Sequence, residues 1–196
     1  MNILIIGGTR YMGISLIKYL DKSNSFDNVY TLSKHPNPEY SDKHFIVNRK
    51  NVGSLKKILL LTKPDIIIDM INFDEEDSKN IVAFYEEGLL KNLKNYIVLS
   101  TFFVYQFFDI NVFKEKNLLS LAQGKEITDE YTKRKIYMEN ALYESELFPK
   151  TTIIRFPFVF SFDDYTNRFQ KLCKISINSK INTFKNKNKF SMIIKK

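Results

Sequence analysis

With a single cysteine, Cys173, the chain has no internal disulfide, which fits a reducing, cytoplasmic compartment. Histidine is nearly as scarce: His35 and His44 have no further ligand at metal spacing, so no metal is assigned. Apolar runs stop at four to eight residues, well short of the roughly 20 that a membrane-spanning helix needs. The N-terminal run has no cationic lead-in and no small-residue cleavage site, which argues against a signal peptide. Acidic residues are missing from position 171 onward, where eight lysines lie. The net charge of +8 therefore belongs to that segment, since residues 1–170 carry 22 basic and 22 acidic side chains. Such a segment reads either as lysines on a solvated face or as a polyanion contact, for which a diphosphate-bearing substrate serves as well as RNA.

What the 196 residues do contain is 44% hydrophobic and 14% aromatic side chains, enough for one domain or one domain plus a fragment. Apolar runs at Ile3–Ile6, Val29–Leu32, Phe45–Val47, Ile66–Met70, Tyr96–Leu99 and Thr152–Phe156 have the look of strands buried on both faces. Helix-like stretches at 11–22, 53–62, 75–90 and 129–147 separate them. The alternation predicts an α/β fold, a Rossmann-type doubly wound parallel sheet with helices on both faces. Pro36, Pro38, Pro64 and Pro149 punctuate the boundaries. The acids of Phe73–Asp77 stand at a helix start, where the dipole favours them, and read as caps. Residues 107–125 lack clean periodicity and read as an excursion over the active-site edge.

Chemistry begins at "GGTRYMG". Gly7, Gly8 and Gly13 stand where the first strand turns into the first helix, the context that a dinucleotide fingerprint requires. Gly7 suits the tight turn, Gly8 admits backbone amides to a pyrophosphate, and Gly13 lets the helix pack on the sheet. The whole turn is the candidate cofactor-binding stretch, with Thr9, Arg10, Tyr11 and Met12 between the glycines. An NAD site would carry an acid at the end of the second strand, but this chain has Ser33-Lys34 there. A hydroxyl, an ammonium and the Arg10 guanidinium suit the 2′-phosphate of NADP, so NADP is preferred over NAD. Asn48 and Arg49, after the third strand, are candidates to frame the adenine edge.

Tyr-x-x-x-Lys occurs twice, as Tyr30…Lys34 and Tyr131…Lys135. On a strand, residues four apart lie about 13 Å apart, so the first pair cannot share one reacting group. In a helix the spacing is about 5–6 Å on one face, and only the second pair can act together. A free tyrosine titrates near 10, and a neighbouring ammonium favours its phenolate. Ser100-Thr101, at the end of the fifth strand, is placed to hold a substrate oxygen, because ligands in such sheets bind beyond the strands' carboxyl ends.

In "GGTRYMG", "PDIIIDMINF", "NYIVLSTFFVY", "YTKRK" and "IIRFPFVF", in this order over residues 1 to about 160, the chain resembles the extended (atypical) short-chain dehydrogenase/reductases. Within them it is similar to the NAD(P)-dependent epimerase/dehydratase group and its GGTR branch. The resemblance implies Tyr131 as acid/base, Lys135 as ribose anchor and modulator of the phenol, and Thr101 as the hydroxyl beside substrate. It also implies that backbone at Met70, Ile71 and Asn72, and around Pro157, Phe158 and Val159, lines the nicotinamide pocket. The function implied is hydride transfer at a hydroxyl- or keto-bearing carbon of a nucleotide sugar, by an epimerase or reductase. A homodimer through the helices near 75–90 and 129–147 is implied by the same analogy. Phe102 and Phe103 stand where sugar 4,6-dehydratases carry Asp-Glu, which disfavours dehydration, and Ser161 replaces a usual glycine. Residues 1–160 correspond to the dinucleotide-binding domain and 161–196 to the start of a small substrate region, incomplete beside such enzymes. Alternatives left open are a non-catalytic NADP(H)-binding module, whether redox sensor or RNA-associated protein, and a truncated pseudoenzyme. Nucleic acid is the less favoured partner.

Overall fold

In the computed structural model the described residues are 1–10, 12–23, 25–37, 42–107 and 129–157, with short pieces at 159, 167, 170–171, 173–174, 183–185 and 191–193. Tyr11, Phe158, Ser161, residues 108–128 and most of the lysine-rich end lie outside them. Two compact units divide the chain, Met1–Pro157 and Phe158–Lys196.

The first unit is built on a six-stranded sheet in the order β3-β2-β1-β4-β5-β6, with every neighbouring pair parallel. The strands are β1 (Asn2–Ile6), β2 (Asn28–Ser33), β3 (His44–Ile46), β4 (Ile66–Asp69), β5 (Asn95–Thr101) and β6 (Thr151–Phe156). Each falls on one of the apolar runs, and helices α1 (Met12–Lys22), α2 (Val52–Thr62), α3 (Glu75–Glu86) and α4 (Glu130–Tyr143) fall between them. The fold is thus the Rossmann-type α/β sheet that the alternation predicts.

Alternate side chains along a strand point to opposite faces, and this sorts the core into two layers. Leu4, Ile6, Leu32, Ile67, Tyr96 and Val98 meet Leu55 and Leu59 of α2, Ile81 and Phe84 of α3, and Met138 and Leu142 of α4. Ile3, Ile5, Val29 and Ile68 face the other way, onto Ile17 and Leu20 of α1. Each fully buried side chain of this size contributes about 1.5–3 kcal/mol by leaving water.

Local chemistry sets the helix ends. Asn51 caps α2 by accepting from the Ser54 N–H at 3.0 Å, and Asp74 caps α3 by accepting from the Asp77 N–H at 3.0 Å. The α3 pattern predicts a helix to residue 90, yet it stops at Glu86. Gly88 takes a φ of 74°, its N–H donates to the Tyr85 carbonyl at 2.9 Å, and the Leu89 N–H donates to Phe84 at 3.0 Å. That pair of bonds around a left-handed glycine closes a helix. α4 ends at Tyr143 instead of 147, where the Ser145 hydroxyl donates to the Leu142 carbonyl at 2.7 Å. In the second unit, β7 (Thr183–Lys185) pairs antiparallel with β8 (Ser191–Ile193).

Strand order reverses between β1 and β4, and the crevice outside the carboxyl ends at such a reversal is where ligands of these sheets bind.

Candidate active site

At the end of β1 the chain turns through Gly7, whose φ of 92° favours glycine and where a Cβ would stand 2.5 Å from the Ile71 side chain. Its N–H donates to the Leu32 carbonyl at 2.7 Å, tying the turn to β2. Gly13, in the first turn of α1, rests on the backbone of Gly8: an added Cβ would lie 2.5 Å from the Gly8 carbonyl oxygen. The Gly13 N–H donates to the Arg10 carbonyl at 3.0 Å. Met12 opens α1. The glycines thus bring a bare backbone turn and a helix N-terminus together at the end of β1, an arrangement whose amides can face an anion.

Thr9 Oγ1 donates to Ser33 Oγ at 3.1 Å, which joins the turn to the end of β2. Ser33 Oγ in turn donates to the His35 carbonyl at 2.6 Å and accepts from the His35 N–H at 3.1 Å. Its hydroxyl is therefore spent within the fold, while Lys34 and Arg10 are exposed at the same end of the sheet.

Asn48 is exposed, and its Oδ1 accepts from the Lys50 N–H at 3.1 Å. Arg49 does not fit the adenine-edge role expected of it. Its side chain turns inward and is only 4% exposed, with Nη1 donating to both Asp69 oxygens at 2.7 Å. Nε stands 3.0 Å from Asp77 Oδ1, and Nη2 donates to the Asp77 carbonyl at 3.1 Å. An arginine is held in this way because a buried carboxylate such as Asp69, with no exposed surface, requires a partner. Asp77, read from sequence as part of a cap, belongs to this cluster as well, with Lys50 Nζ 2.9 Å from its Oδ1.

Beyond Asp69, the Met70 N–H donates to the Ile6 carbonyl at 2.9 Å and the Ile71 N–H to Asp69 Oδ1 at 3.2 Å. Ile71 packs toward the α2–α3–α4 layer and Met70 toward α1. Asp129 caps α4 and accepts from the Thr132 N–H at 2.8 Å. Lys135, one turn further on, is 2% exposed. Its ammonium donates to the Asn72 carbonyl at 2.6 Å, after β4, and to the Leu99 carbonyl at 2.7 Å, in β5. The Tyr131 ring centroid lies 6.0 Å from that nitrogen and the Phe73 centroid 5.1 Å. Tyr131 itself is 48% exposed, so the ammonium is buried while its aromatic neighbour reaches solvent.

Of the two hydroxyls at the end of β5, Ser100 donates to the Glu139 carboxylate, which also grips Arg155 at 2.7 Å. That leaves Thr101, whose Oγ1 accepts from the Phe103 N–H at 3.3 Å, two residues past the carbonyl that holds Lys135. Phe102 opens a 3-10 turn and packs edge-on against Tyr105, 5.4 Å between centroids. Pro157 is exposed after β6. Among the described residues no His, Cys, Asp and Glu group could hold a metal, and no helix is long and apolar enough to cross a membrane.

Sequence reasoning missed Asp69, Tyr96 and Glu139 as parts of this region. Their only signal was polarity inside apolar surroundings: Asp69 breaks "IIID", and Glu139 lies four residues after Lys135 on one helix face.

Burial lowers the Lys135 pKa to about 8; Asp69 and Glu139 oppose the shift and Arg49 adds to it. The unfolded lysine titrates near 10.4, so between about 8 and 10.4 the unfolded chain holds the extra proton and stability rises with pH. The cost of the buried ammonium is complete below 8 and is relieved above it. Measured by urea unfolding against Lys135→Met, the wild-type chain is expected to gain about 2 kcal/mol between pH 7 and pH 10. A flat difference across that range would show that the ammonium is solvated. Taking the difference cancels Tyr96, whose burial first, then Asp69, pushes its pKa well above 10.

No known protein-family profile matches the chain, and no curated protein does. Solved structures do. A Veillonella parvula short-chain dehydrogenase/reductase (wide type) in complex with NADP has 17% identity and a TM-score of 0.58, over 83% of this chain and 71% of its own. The Bacillus anthracis dTDP-glucose 4,6-dehydratase in complex with NAD has 12% identity and a TM-score of 0.64, over 92% of this chain and 62% of its own. The Campylobacter jejuni UDP-Glc/GlcNAc 4-epimerase has 15% identity and a TM-score of 0.63, over 95% of this chain and 67% of its own. The chain thus spans roughly two thirds of the length of such neighbours. By fold, it is a Rossmann-type protein whose structural neighbours are short-chain dehydrogenase/reductases and epimerase/dehydratase enzymes.

Proposed function

We propose that the chain is an NAD(P)-dependent oxidoreductase or epimerase of the GGTR branch, acting on a hydroxyl- or keto-bearing carbon of a nucleotide sugar. The observation that carries the reading is the Lys135 ammonium, clamped between the ends of β4 and β5 with the Tyr131 ring 6.0 Å away. The turn at Gly7–Gly13 fits a dinucleotide, because side chains are excluded at both glycines and the backbone is left to meet a pyrophosphate. Gly7, Gly8, Thr9 and Gly13 would hold that group, Arg10 and Lys34 a 2′-phosphate, and Met70, Ile71 and Pro157 the nicotinamide end. When bound, the nicotinamide supplies or accepts the hydride. Lys135 keeps two of its N–H groups on the carbonyls and has a third to offer a ribose hydroxyl or the Tyr131 phenol. Its charge favours the phenolate, and Tyr131 takes or returns the substrate's hydroxyl proton while Thr101 orients the oxygen. Phe102 and Phe103 offer no acid or base, so elimination is not part of the reading. Residues 161–196 as the start of a substrate region, and a homodimer through α3 and α4, belong to the same proposal.

The test is a fluorescence titration of the purified chain with NADPH and NADH, followed by a screen of UDP- and dTDP-sugars. NADPH is expected to bind more tightly than NADH. Failure of both nucleotides to bind would end the reading, tighter NADH would end the 2′-phosphate assignment, and binding without any turnover would favour the non-catalytic module.

A further inference from the structure

Lys135 is held by main-chain carbonyls, and a carbonyl holds its place only if its residue does. Leu99 is fixed by the β5–β6 ladder. Asn72 lies past the end of β4, outside any ladder, yet it is wholly buried. Its side chain is tied through one atom: Nδ2 donates to Tyr96 Oη at 2.9 Å and to Ser78 Oγ at 3.1 Å, while Oδ1 accepts no hydrogen bond among the described residues. Tyr96 Oη passes the connection on, donating to Asp69 Oδ2 at 2.9 Å, and Asp69 is held by Arg49. Ser78 Oγ donates to the Met138 carbonyl of α4 at 3.1 Å.

We propose that Tyr96 and Ser78 are positioning residues for Lys135: through the Asn72 amide they fix the carbonyl that grips the ammonium, linking it to the Arg49–Asp69 ion pair under the sheet edge. Neither needs to touch a substrate or cofactor. The charged and titratable groups around the amine are Asp69 of β4, Arg49 from the loop before α2, Asp77 of α3, Glu139 and Tyr131 of α4, and Tyr96 of β5. Removing the Tyr96 hydroxyl leaves all the formal charges in place. What changes is the hold on one acceptor of the ammonium, together with one hydrogen bond to Asp69 that Ser78→Ala leaves untouched, and a hydrogen bond to a charged group favours the charged form.

The effect of this hold on turnover rests on the function proposed above, but its test does not. The lysine 13Cε shift followed by NMR from pH 6 to 11, with the Lys135 signal assigned by its loss in Lys135→Met, gives its titration midpoint against exposed Lys79. In Tyr96→Phe the Lys135 midpoint is expected to fall below the wild-type value by about 0.5–1 unit, a fraction of one charge-assisted bond. Ser78→Ala, which removes the other tie, is expected to shift it the same way and carries the test if Tyr96→Phe does not fold by circular dichroism. Unchanged or raised midpoints in the folded variants would overturn the positioning role whether or not NADPH binds. The expected shift in a chain that binds neither nucleotide would overturn only the function.

Discussion

Arg49→Met is expected to destabilise the chain by about 3–5 kcal/mol, measured by urea unfolding at pH 7. The substitution keeps most of the volume and removes the charge that faces Asp69 and Asp77, neither of which has more than 1% of its surface exposed. Asp69 would keep the Tyr96 hydroxyl and the Ile71 N–H, and Asp77 would keep Lys50, but these do not replace a two-pronged guanidinium. Adding Asp69→Leu to Arg49→Met should recover part of the loss, because a missing pair costs less than a lone buried charge. The same variant separates two roles for this residue. Were Arg49 a contact for adenine, nucleotide affinity would fall with stability intact; a loss under 1 kcal/mol would mean that the ion pair is not what holds the loop to α3.

On the function proposed above, Tyr131→Phe is expected to lower turnover of the sugar nucleotide found in the screen about 10²–10⁴-fold, with NADPH affinity unchanged. Half of this side chain is in water, and the phenyl ring keeps its place beside Lys135, so the variant tests the hydroxyl alone. Turnover that survives, or affinity that collapses, would remove Tyr131 from the acid/base role. The effects of the two substitutions would look different: one weakens the fold, the other leaves a folded chain that binds and does not react.

All six strands of the sheet were legible because burial on both faces leaves little freedom in what a central strand can contain. The glycine turn was legible for a related reason, since only glycine can stand where Ile71 and the Gly8 carbonyl come so close. Helix ends were read less well. Gly88 carries the stop signal for α3, and the apolar pattern running on to Leu90 masks it, because those residues pack in the core without being helical. The site's polar interior was the least legible part. Arg49 and Asp69 are twenty positions apart, and nothing in their neighbours says that one arginine will turn inward and the other, Arg10, outward. Ser33 and Ser100 show the same limit: both stand at strand ends where a hydroxyl is expected to meet a ligand, and both spend it on the protein.

Lys135 fastens two neighbouring strands with one nitrogen, a rivet set just past the end of β4 and near the end of β5. A substitution that removes this amine therefore opens the seam between β4 and β5 as well as emptying the place beside Tyr131. From the solvent side, Phe73 and Tyr131 approach the same nitrogen by their rings and not through either carbonyl, so the surroundings of the amine can change there while the seam stays closed.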